Sequence, residues 1–183
     1  MANMFRDLRA DEIECRVAQA KQNGVSLLLY KDARCDQNIL DETVGAMNWM
    51  RSHTRDNANC IVSIWDREKQ MWISKEDTGT ESNTEKEKGL ASDSFKRACF
   101  NWGIGRELYT APFIWIKAEG CEALKPFGDK WKCFDSFEVQ KIVIENNRIV
   151  ALAIRNRNTR KNVFIWQDAK WEAEQQKKVN ANA

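Results

Sequence analysis

Apolar and polar residues alternate along much of the chain, which is the spacing of β-strands with one buried face. Strands are predicted over 25–31, 48–55, 60–65, 71–80, 112–117, 137–145, 148–155 and 161–166. Turn-forming residues separate the last three strands, at Asn146-Asn147 and over 156–160. The pattern therefore predicts two antiparallel meanders, one over 48–80 and one over 137–166.

Helical spacing of apolar residues predicts one long helix over 84–102. Its apolar stripe consists of Leu90, Ala91, Phe95, Ala98 and Trp102. Gly103 and Gly105 follow this stripe and are expected to end the helix. Shorter helices are predicted over 10–22, from Asp36 or Asn38 to Gly45, and over 168–178. The glycine- and proline-containing segment 120–130 is predicted to be a loop.

These elements predict the α+β class: an antiparallel β-meander packed against one long helix, with flanking helices and a second C-terminal β-meander. The chain has 183 residues, which is the length of one ordinary domain. We expect a single domain over 1–183, whose core of strand, short helix, meander and long helix covers 25–112. Further strands over 113–166 and a helix with a frayed tail over 167–183 are expected to complete it.

The composition is typical of soluble globular proteins, with 43% hydrophobic and 31% charged residues. The longest apolar stretches, such as 25–30, are too short to cross a bilayer. The first residues contain acids and no apolar leader segment. We therefore expect a cytoplasmic protein without a membrane partner.

Residues that metal and catalytic sites require are scattered along the chain. No two of the six cysteines lie within ten residues of each other, and His53 is the only histidine. This spacing argues against a zinc site, a disulfide framework and a catalytic triad, and a core or surface role is expected for His53. No phosphate-binding loop sequence occurs, and the nuclease-like spacing of Asp168 and Lys170 falls in a predicted tail helix. No catalytic residue, metal ion or cofactor is therefore predicted.

Basic and aromatic residues are interleaved, which is more informative than the net charge of +2. Such neighbours are Trp49 and Arg51, Phe95 and Lys96, and Trp131 between Lys130 and Lys132. This combination suits single-stranded nucleic acids, because cations contact the phosphates while aromatic rings stack on bases. The alternative interpretation is that most of these rings fill the core.

Two groups of cations stand out as candidate contacts. Lys96 and Arg97 are adjacent on the predicted long helix and lie away from its apolar stripe, where they form either a phosphate-binding pair or a solvated pair favoured by the helix dipole. The segment 148–161 contains five basic residues and no acid: Arg148, Arg155, Arg157, Arg160 and Lys161. We interpret this segment either as a second DNA contact or as a solvated hairpin.

An ordered set of landmarks links this chain to a known family. Asp93, the run Lys96-Arg97-Ala98 and the pair Trp102-Gly103 follow one another in the predicted long helix. Upstream, the segment 39–45 ends in glycine and is followed by Trp49 at the start of a strand. These landmarks resemble the single-strand annealing superfamily, which includes the eukaryotic recombination mediator Rad-fifty-two and the phage Sak-type annealases.

The resemblance covers roughly residues 25–112 and implies a homo-oligomeric ring or helical filament that holds single-stranded DNA in a basic groove. The lysine-arginine pair that lines this groove in the family corresponds to Lys96 and Arg97. A family arginine three residues later corresponds to Phe100, so that contact is lost or replaced by stacking, and Arg34 lies one position from another groove arginine. The remaining residues expected to bind DNA are Lys86, Lys88, Arg51 and Arg55.

The function predicted from the sequence is binding of single-stranded DNA and ATP-independent annealing of complementary strands in homologous recombination and repair. A bacteriophage origin and the cytoplasm of a bacterial host are expected, with a phage exonuclease and a host single-strand-binding protein as partners. Two alternatives stay open. One is a nucleic-acid-binding protein that protects single strands without annealing them, and the other is a metal-dependent nuclease that uses Asp77, Glu81 or Asp168.

Overall fold

The computed structural model of the chain describes residues 4–80 and 86–181, without the side chains of 86–88 and 181. The helices in this part are α1 Ala33–Val44, α2 Lys86–Trp102 and α3 Ala169–Ala181. The strands are β1 Glu14–Lys21, β2 Gly24–Tyr30, β3 Trp49–Thr54, β4 Asn59–Asp66, β5 Met71–Thr78, β6 Ile114–Lys117, β7 Leu124–Phe127, β8 Lys130–Cys133, β9 Phe137–Glu145, β10 Arg148–Asn156 and β11 Lys161–Gln167. Every pairing of these strands is antiparallel.

Helices and antiparallel strands together confirm the predicted α+β class. The expectation of one long helix is not matched, because α1, α2 and α3 contain 12, 17 and 13 residues and no helix dominates. The start predicted for that helix, at 84–85, lies outside the described residues. No helix in the described part of the chain is long and apolar enough to cross a membrane.

The chain divides into two compact units. Unit 1 contains Met1–Leu8 and Lys31–Arg106, and unit 2 contains Arg9–Tyr30 and Glu107–Ala183. Residues 1–3 and 81–85 of unit 1 and 182–183 of unit 2 lie outside the described residues. The single domain predicted for the whole chain stays a prediction.

Unit 1 is built on the three-stranded sheet β3-β4-β5, which corresponds to the first predicted meander. Helix α2 packs on this sheet through a buried face that includes Phe95, and the indole nitrogen of Trp102 donates to the carbonyl oxygen of Val62 in β4 at 3.0 Å. A Cβ at Gly79 would lie 2.5 Å from the backbone nitrogen of Ser94. Glycine therefore allows the chain that leaves β5 to pass directly against α2.

Helix α1 of unit 1 begins after Asp32 and ends at Gly45. The Asp32 carboxylate accepts a hydrogen bond from the backbone N–H of Arg34 and caps the first turn. Gly45 has a φ of +87°, a conformation that only glycine adopts without strain. The predicted end is confirmed, whereas the start predicted at Asp36 or Asn38 is several residues too late because Asp32 is the capping residue.

Unit 2 is built on a six-stranded sheet with the strand order β11-β10-β9-β1-β2-β6. The three C-terminal strands are consecutive neighbours in this sheet, and the β1–β2 hairpin and β6 extend it. The link between the two halves is the pair formed by Glu14 in β1 and Glu138 in β9. Periodicity reports which face of a strand is buried but not which distant strands become neighbours, so this sheet order was not predicted.

The helix predicted over 10–22 is wrong, because the segment forms a short 3-10 turn and then β1. A β-bulge between Val17 and Gln19 moves the following residues to the opposite face of the strand. Ile13, Val17 and Ala20 therefore fall at the i, i+4, i+7 spacing of a helix although the chain is extended.

The loop predicted over 120–130 is also wrong, because β7 and β8 form a hairpin there. Gly128 occupies the turn with a φ of +59°. Pro126 pairs with Trp131 in a sheet of only two strands, where a missing backbone donor can face an open edge. The residues that favoured a loop are thus the ones that suit a short hairpin.

Candidate nucleic-acid interface

A groove of about 290 Å³ lies within unit 1, where α1, β3 and α2 face one another. The lining residues are Ala33, Arg34, Gln37, Arg51, His53, Ala91 and Ser92. Two of these residues are arginines and none is acidic. The side that α2 contributes carries only small side chains, so a ligand can approach the helix backbone closely. The groove therefore combines positively charged side chains with space for a ligand to reach the backbone of α2.

Arg34 holds one rim of this groove, in the first turn of α1. Its side chain is 82% exposed, and its Nη2 atom lies 2.6 Å from the Asp32 carboxylate. Hydrogen bonds from the Arg34 side chain and backbone hold the pKa of Asp32 below its usual value, and the charge of Lys96 adds a smaller effect. The ion pair with Asp32 partly neutralises Arg34 and restricts the orientation of its guanidinium at the start of α1.

Arg51 provides the second guanidinium and is exposed on β3. Its guanidinium carbon lies 4.7 Å from the centroid of the Phe95 ring. Phe95 is fully buried and stacks on Trp49, with the two ring centroids 6.1 Å apart. This cation–π contact rests on a side chain that the core of unit 1 immobilises, so Arg51 is oriented before any ligand binds.

His53 also lines the groove, and its Nδ1 atom is 3.4 Å from the hydroxyl oxygen of Ser94. Burial lowers the pKa of His53, and the charge of Arg51 lowers it further. The imidazole is therefore neutral at pH 7. The positive charge of the groove comes from its arginines.

Lys96 and Arg97, the predicted lysine-arginine pair, point to different neighbours. The charge of Lys96 acts on Asp32 and Asp36 of the α1 start, the end of α1 that also carries Arg34. Arg97 instead faces β5, where its Nε atom lies 3.4 Å from the Asp77 carboxylate. Successive residues of a helix are rotated by about 100°, so Lys96 acts on the start of α1 while Arg97 is partly neutralised by Asp77.

Phe100 is occupied by an interaction that the sequence did not indicate. The Lys31 ammonium lies 4.5 Å from the centroid of its ring and also pairs with the Asp36 carboxylate. Both charged side chains are almost completely buried. Burial raises the pKa of Asp36 to about 6, and the charge of the adjacent Lys31 opposes this rise. One face of the Phe100 ring therefore contacts a buried cation inside unit 1.

The other predicted contacts are placed differently. Arg55 lies in the turn between β3 and β4 and does not line the groove. Lys86 and Lys88 belong to the first turn of α2, and their side chains lie outside the described residues, as does Glu81. Asp168 accepts hydrogen bonds from backbone N–H groups at the start of α3 and caps that helix, which gives it a structural role.

The basic segment 148–161 does not form one surface. Arg148 begins β10, whereas Arg155 lies near its far end and lines a larger groove of about 830 Å³ in unit 2. Arg157 lines the same groove and pairs with Glu138 at 2.8 Å. Arg160 and Lys161 lie at the turn into β11. Asp11, Glu14 and Glu138 also line this groove, so acids balance its arginines.

The β7–β8 hairpin carries a group of lysines that the sequence analysis did not assign to a site, because part of this segment was predicted to be a loop. Lys125 and Lys132 are directly opposite each other on the two strands. Their ammonium groups lie 4.9 and 3.7 Å from the centroids of Phe134 and Phe127, respectively. Both rings are more than half exposed. The signal of this hairpin in the sequence is the interleaving of Trp131 with Lys130 and Lys132.

Three possible metal ligands meet at the base of this hairpin, although their spacing in the sequence argued against a metal site. The ligand atoms of Cys121, Cys133 and Asp135 all lie within 4.8 Å of one another, and no other such group occurs among the residues searched, which are those the structure describes. Burial raises the pKa of Cys133 to about 12 and also raises that of Cys121. Without a metal ion, both thiols are therefore protonated at neutral pH.

The groove of unit 1 is thus the cationic site in which several predicted residues meet. Arg34 and Arg51 line it, and Lys96 lies at the same end of α1. Comparisons of the chain with protein-family models, with curated proteins and with solved structures found no match.

Proposed function

We propose that this protein binds single-stranded DNA in the groove of unit 1 and anneals complementary strands without ATP. The observation that carries the proposal is the lining of the groove, which contains Arg34 and Arg51 and no acid. Phosphates are bound chiefly by such cations. The small residues Ala91 and Ser92 leave space for a sugar-phosphate backbone next to α2.

The order of elements in unit 1 supports the same proposal. The helix α1, the meander β3-β4-β5 and the helix α2 follow each other as expected for the single-strand annealing superfamily. Annealing requires a strand held by its phosphates with the bases accessible, and no covalent step. We extend the proposal to assembly into a homo-oligomeric ring or helical filament that cooperates with a phage exonuclease and a host single-strand-binding protein.

A protein that protects single strands without annealing them is the second candidate, because the same groove would serve it. The two candidates differ in the rate at which labelled complementary strands form a duplex. Acceleration by the purified protein, without ATP, supports annealing. Saturated binding of single strands without acceleration supports protection alone.

The double substitution Arg34→Ala with Arg51→Ala tests the groove. Each phosphate contact on a single strand contributes about −0.7 to the slope of log affinity against log salt. Loss of both arginines should therefore reduce the magnitude of this slope by about 1.4 per protomer and weaken binding of all sequences alike. Fluorescence anisotropy with labelled oligo-dT at several salt concentrations measures both quantities.

The matched control replaces two exposed arginines outside the groove, Arg16 on β1 and Arg67 in the turn after β4. This control variant has the same change in net charge and should retain the parental affinity and salt slope. Equal losses in the two variants would show that general charge, and not the groove, binds the DNA.

A further inference from the structure

The β7–β8 hairpin brings together two cysteines that are far apart in the sequence. Cys121 lies three residues before β7, and Cys133 ends β8, where it pairs with Leu124 across the hairpin. Asp135 follows two residues later. The hairpin register thus places two thiols and one carboxylate at the same end of a two-stranded sheet, with their ligand atoms within 4.8 Å of one another.

The contacts within this cluster have the form that a metal ion can replace. The Cys133 thiol donates to Oδ2 of Asp135, with a sulfur–oxygen distance of 3.2 Å. The Cys121 thiol lies 3.8 Å from the carbonyl oxygen of Lys117. Both thiols are half-buried. The space between them is therefore partly shielded from solvent but still accessible to an ion. The Cys133 thiol thus donates its proton to another candidate ligand atom of the cluster.

Asp135 is held in position by groups that are not themselves ligands. Its carboxylate accepts hydrogen bonds from the backbone N–H of Ala123 at 2.9 Å and from the Asn156 amide at 3.1 Å. Asn156 is fully buried and also donates to the carbonyl oxygen of Gly120. Fixed partners of this kind orient metal-binding carboxylates and determine much of their affinity. Asp135 is itself buried, so it is preorganised next to the two sulfurs.

We propose that Cys121, Cys133 and Asp135 bind a thiophilic divalent cation of the zinc class. Two thiolates and one carboxylate provide three ligands of a tetrahedral site, and a water molecule or another exchangeable ligand completes it. On binding, each thiol releases its proton to solvent, two metal–sulfur bonds form, and no group is oxidised or reduced. Thiolate ligands select zinc-like ions over magnesium and calcium, which prefer oxygen ligands.

Metal binding would fasten the base of the β7–β8 hairpin. This hairpin belongs to a sheet of only two strands, which is marginally stable by itself. An ion bound by both Cys121 and Cys133 would link the segment before β7 to the end of β8. The site shares no residue with the groove of unit 1, so it stands or falls independently of the proposed DNA binding.

The first test uses the unmodified, fully reduced protein. Alkylation with iodoacetamide in the presence and absence of Zn²⁺, followed by peptide mass spectrometry, measures protection of each thiol. Zn²⁺ should protect Cys121 and Cys133 but not Cys15, which is equally half-buried in unit 2 and lies outside the cluster. Equal alkylation of all three thiols with and without Zn²⁺ would overturn the proposal.

The second test identifies the ligands with Co²⁺ as a spectroscopic probe. One equivalent of Co²⁺ should produce a thiolate-to-metal charge-transfer band and the visible bands of tetrahedral cobalt, and Zn²⁺ should remove both. Each of the variants Cys121→Ser and Cys133→Ser should lose part of the charge-transfer intensity, because each removes one thiolate ligand. Cys15→Ser should keep the full intensity. An unchanged spectrum in the first two variants, or a Cys121–Cys133 disulfide that persists in reductant and excludes the metal, would contradict the assignment.

Discussion

At the scale of single residues, the environment of a cation determines whether it is available to a ligand. Arg97 is the example, because its guanidinium lies 3.4 Å from Asp77 and is only 39% exposed. Arg51, in contrast, rests on the face of an aromatic ring and has no carboxylate partner among the described residues. The two arginines have the same chemistry, yet the structure prepares only Arg51 for an anion.

The substitution Asp77→Asn should strengthen binding of single-stranded DNA. Asparagine keeps one side-chain oxygen to accept from the backbone N–H of Thr78, loses the second oxygen that accepts from Asn101, and removes the charge that competes for Arg97. One additional phosphate contact would increase the magnitude of the salt slope by about 0.7, which anisotropy titrations can measure. Asp56→Asn, at an exposed position in the turn after β3, is the control. If both variants bind alike, Arg97 does not contact the DNA.

Asp32 should make stability depend on pH in a defined direction. Hydrogen bonds from Arg34 hold its pKa below the ordinary value of 3.8, so the unfolded state binds the proton more readily. The stabilising contribution is therefore complete above about pH 3.8 and is lost as the pH falls through the lowered pKa of the folded state.

Asp32→Asn tests this direction, because asparagine caps helices about as well as aspartate but does not titrate. Denaturant unfolding from pH 7 to pH 2.5 should show a smaller acid-induced loss of stability for the variant than for the parent. Parallel stability curves would contradict the proposed role of the Asp32–Arg34 pair.

At the scale of elements, helix α2 explains why two adjacent cations have different surroundings. Its buried face is set by Phe95, Ala98 and Cys99, all fully inaccessible. Lys96 and Arg97 lie on either side of this face, towards α1 and β5 respectively. The helical pattern predicted that both cations avoid the apolar stripe, but which acid each of them meets depends on elements that are distant in the sequence.

Two lysines face each other across the β7–β8 hairpin, so reversing the charge of one should have opposite effects on stability and on DNA binding. Lys125 and Lys132 face each other, and like charges in that position are destabilising. Lys125→Glu would create an opposite-charge pair worth about 0.2–1 kcal/mol and should raise the melting temperature. The same change should weaken binding of oligo-dT if the exposed hairpin contacts nucleic acid.

Lys130→Glu serves as the control for this hairpin. Lys130 is exposed and lies opposite Phe127, so its reversal introduces the same charge without a facing lysine. We expect no gain in melting temperature from this variant. A loss of melting temperature on Lys125→Glu would mean that its contact with the Phe134 ring outweighs the repulsion.

At the scale of the whole molecule, the sheet of unit 1 has two strands with unpaired edges in the described structure, β3 and β5. Exposed apolar side chains accompany these edges: Met50 on β3, and Met71 and Trp72 on β5. Open edges of this kind pair readily with other chains. They are consistent with the proposed assembly into a ring or filament.

Light scattering should therefore give a mass several times the 21.3 kDa of one chain at micromolar concentration with DNA present. Met71→Lys should shift the distribution towards the monomer, because charged side chains discourage edge pairing. Met47→Lys is the matched control, since Met47 is exposed in the turn after α1 and not on a strand. A parental mass of one chain would contradict the proposed assembly.

Local patterns in the sequence by themselves determined the class of the fold and most of its elements. Alternation identified β3, β4, β5, β9, β10 and β11, and helical spacing identified α2. These signals are reliable where one face of a regular element is buried. They failed at the bulge after Val17, where the alternation changes phase, and at 120–130, where turn residues also form a hairpin.

Only the tertiary structure decided which residues meet in space. Arg34 and Arg51 were predicted separately, and the packing of α1 against β3 and α2 brings them to one groove. The same holds for Arg97 with Asp77 and for Cys121 with Cys133 and Asp135. Periodicity and turn chemistry depend on a few neighbouring residues, whereas these groupings depend on strand register and on contacts across many intervening residues. The spacing of residues in one sequence does not contain that information.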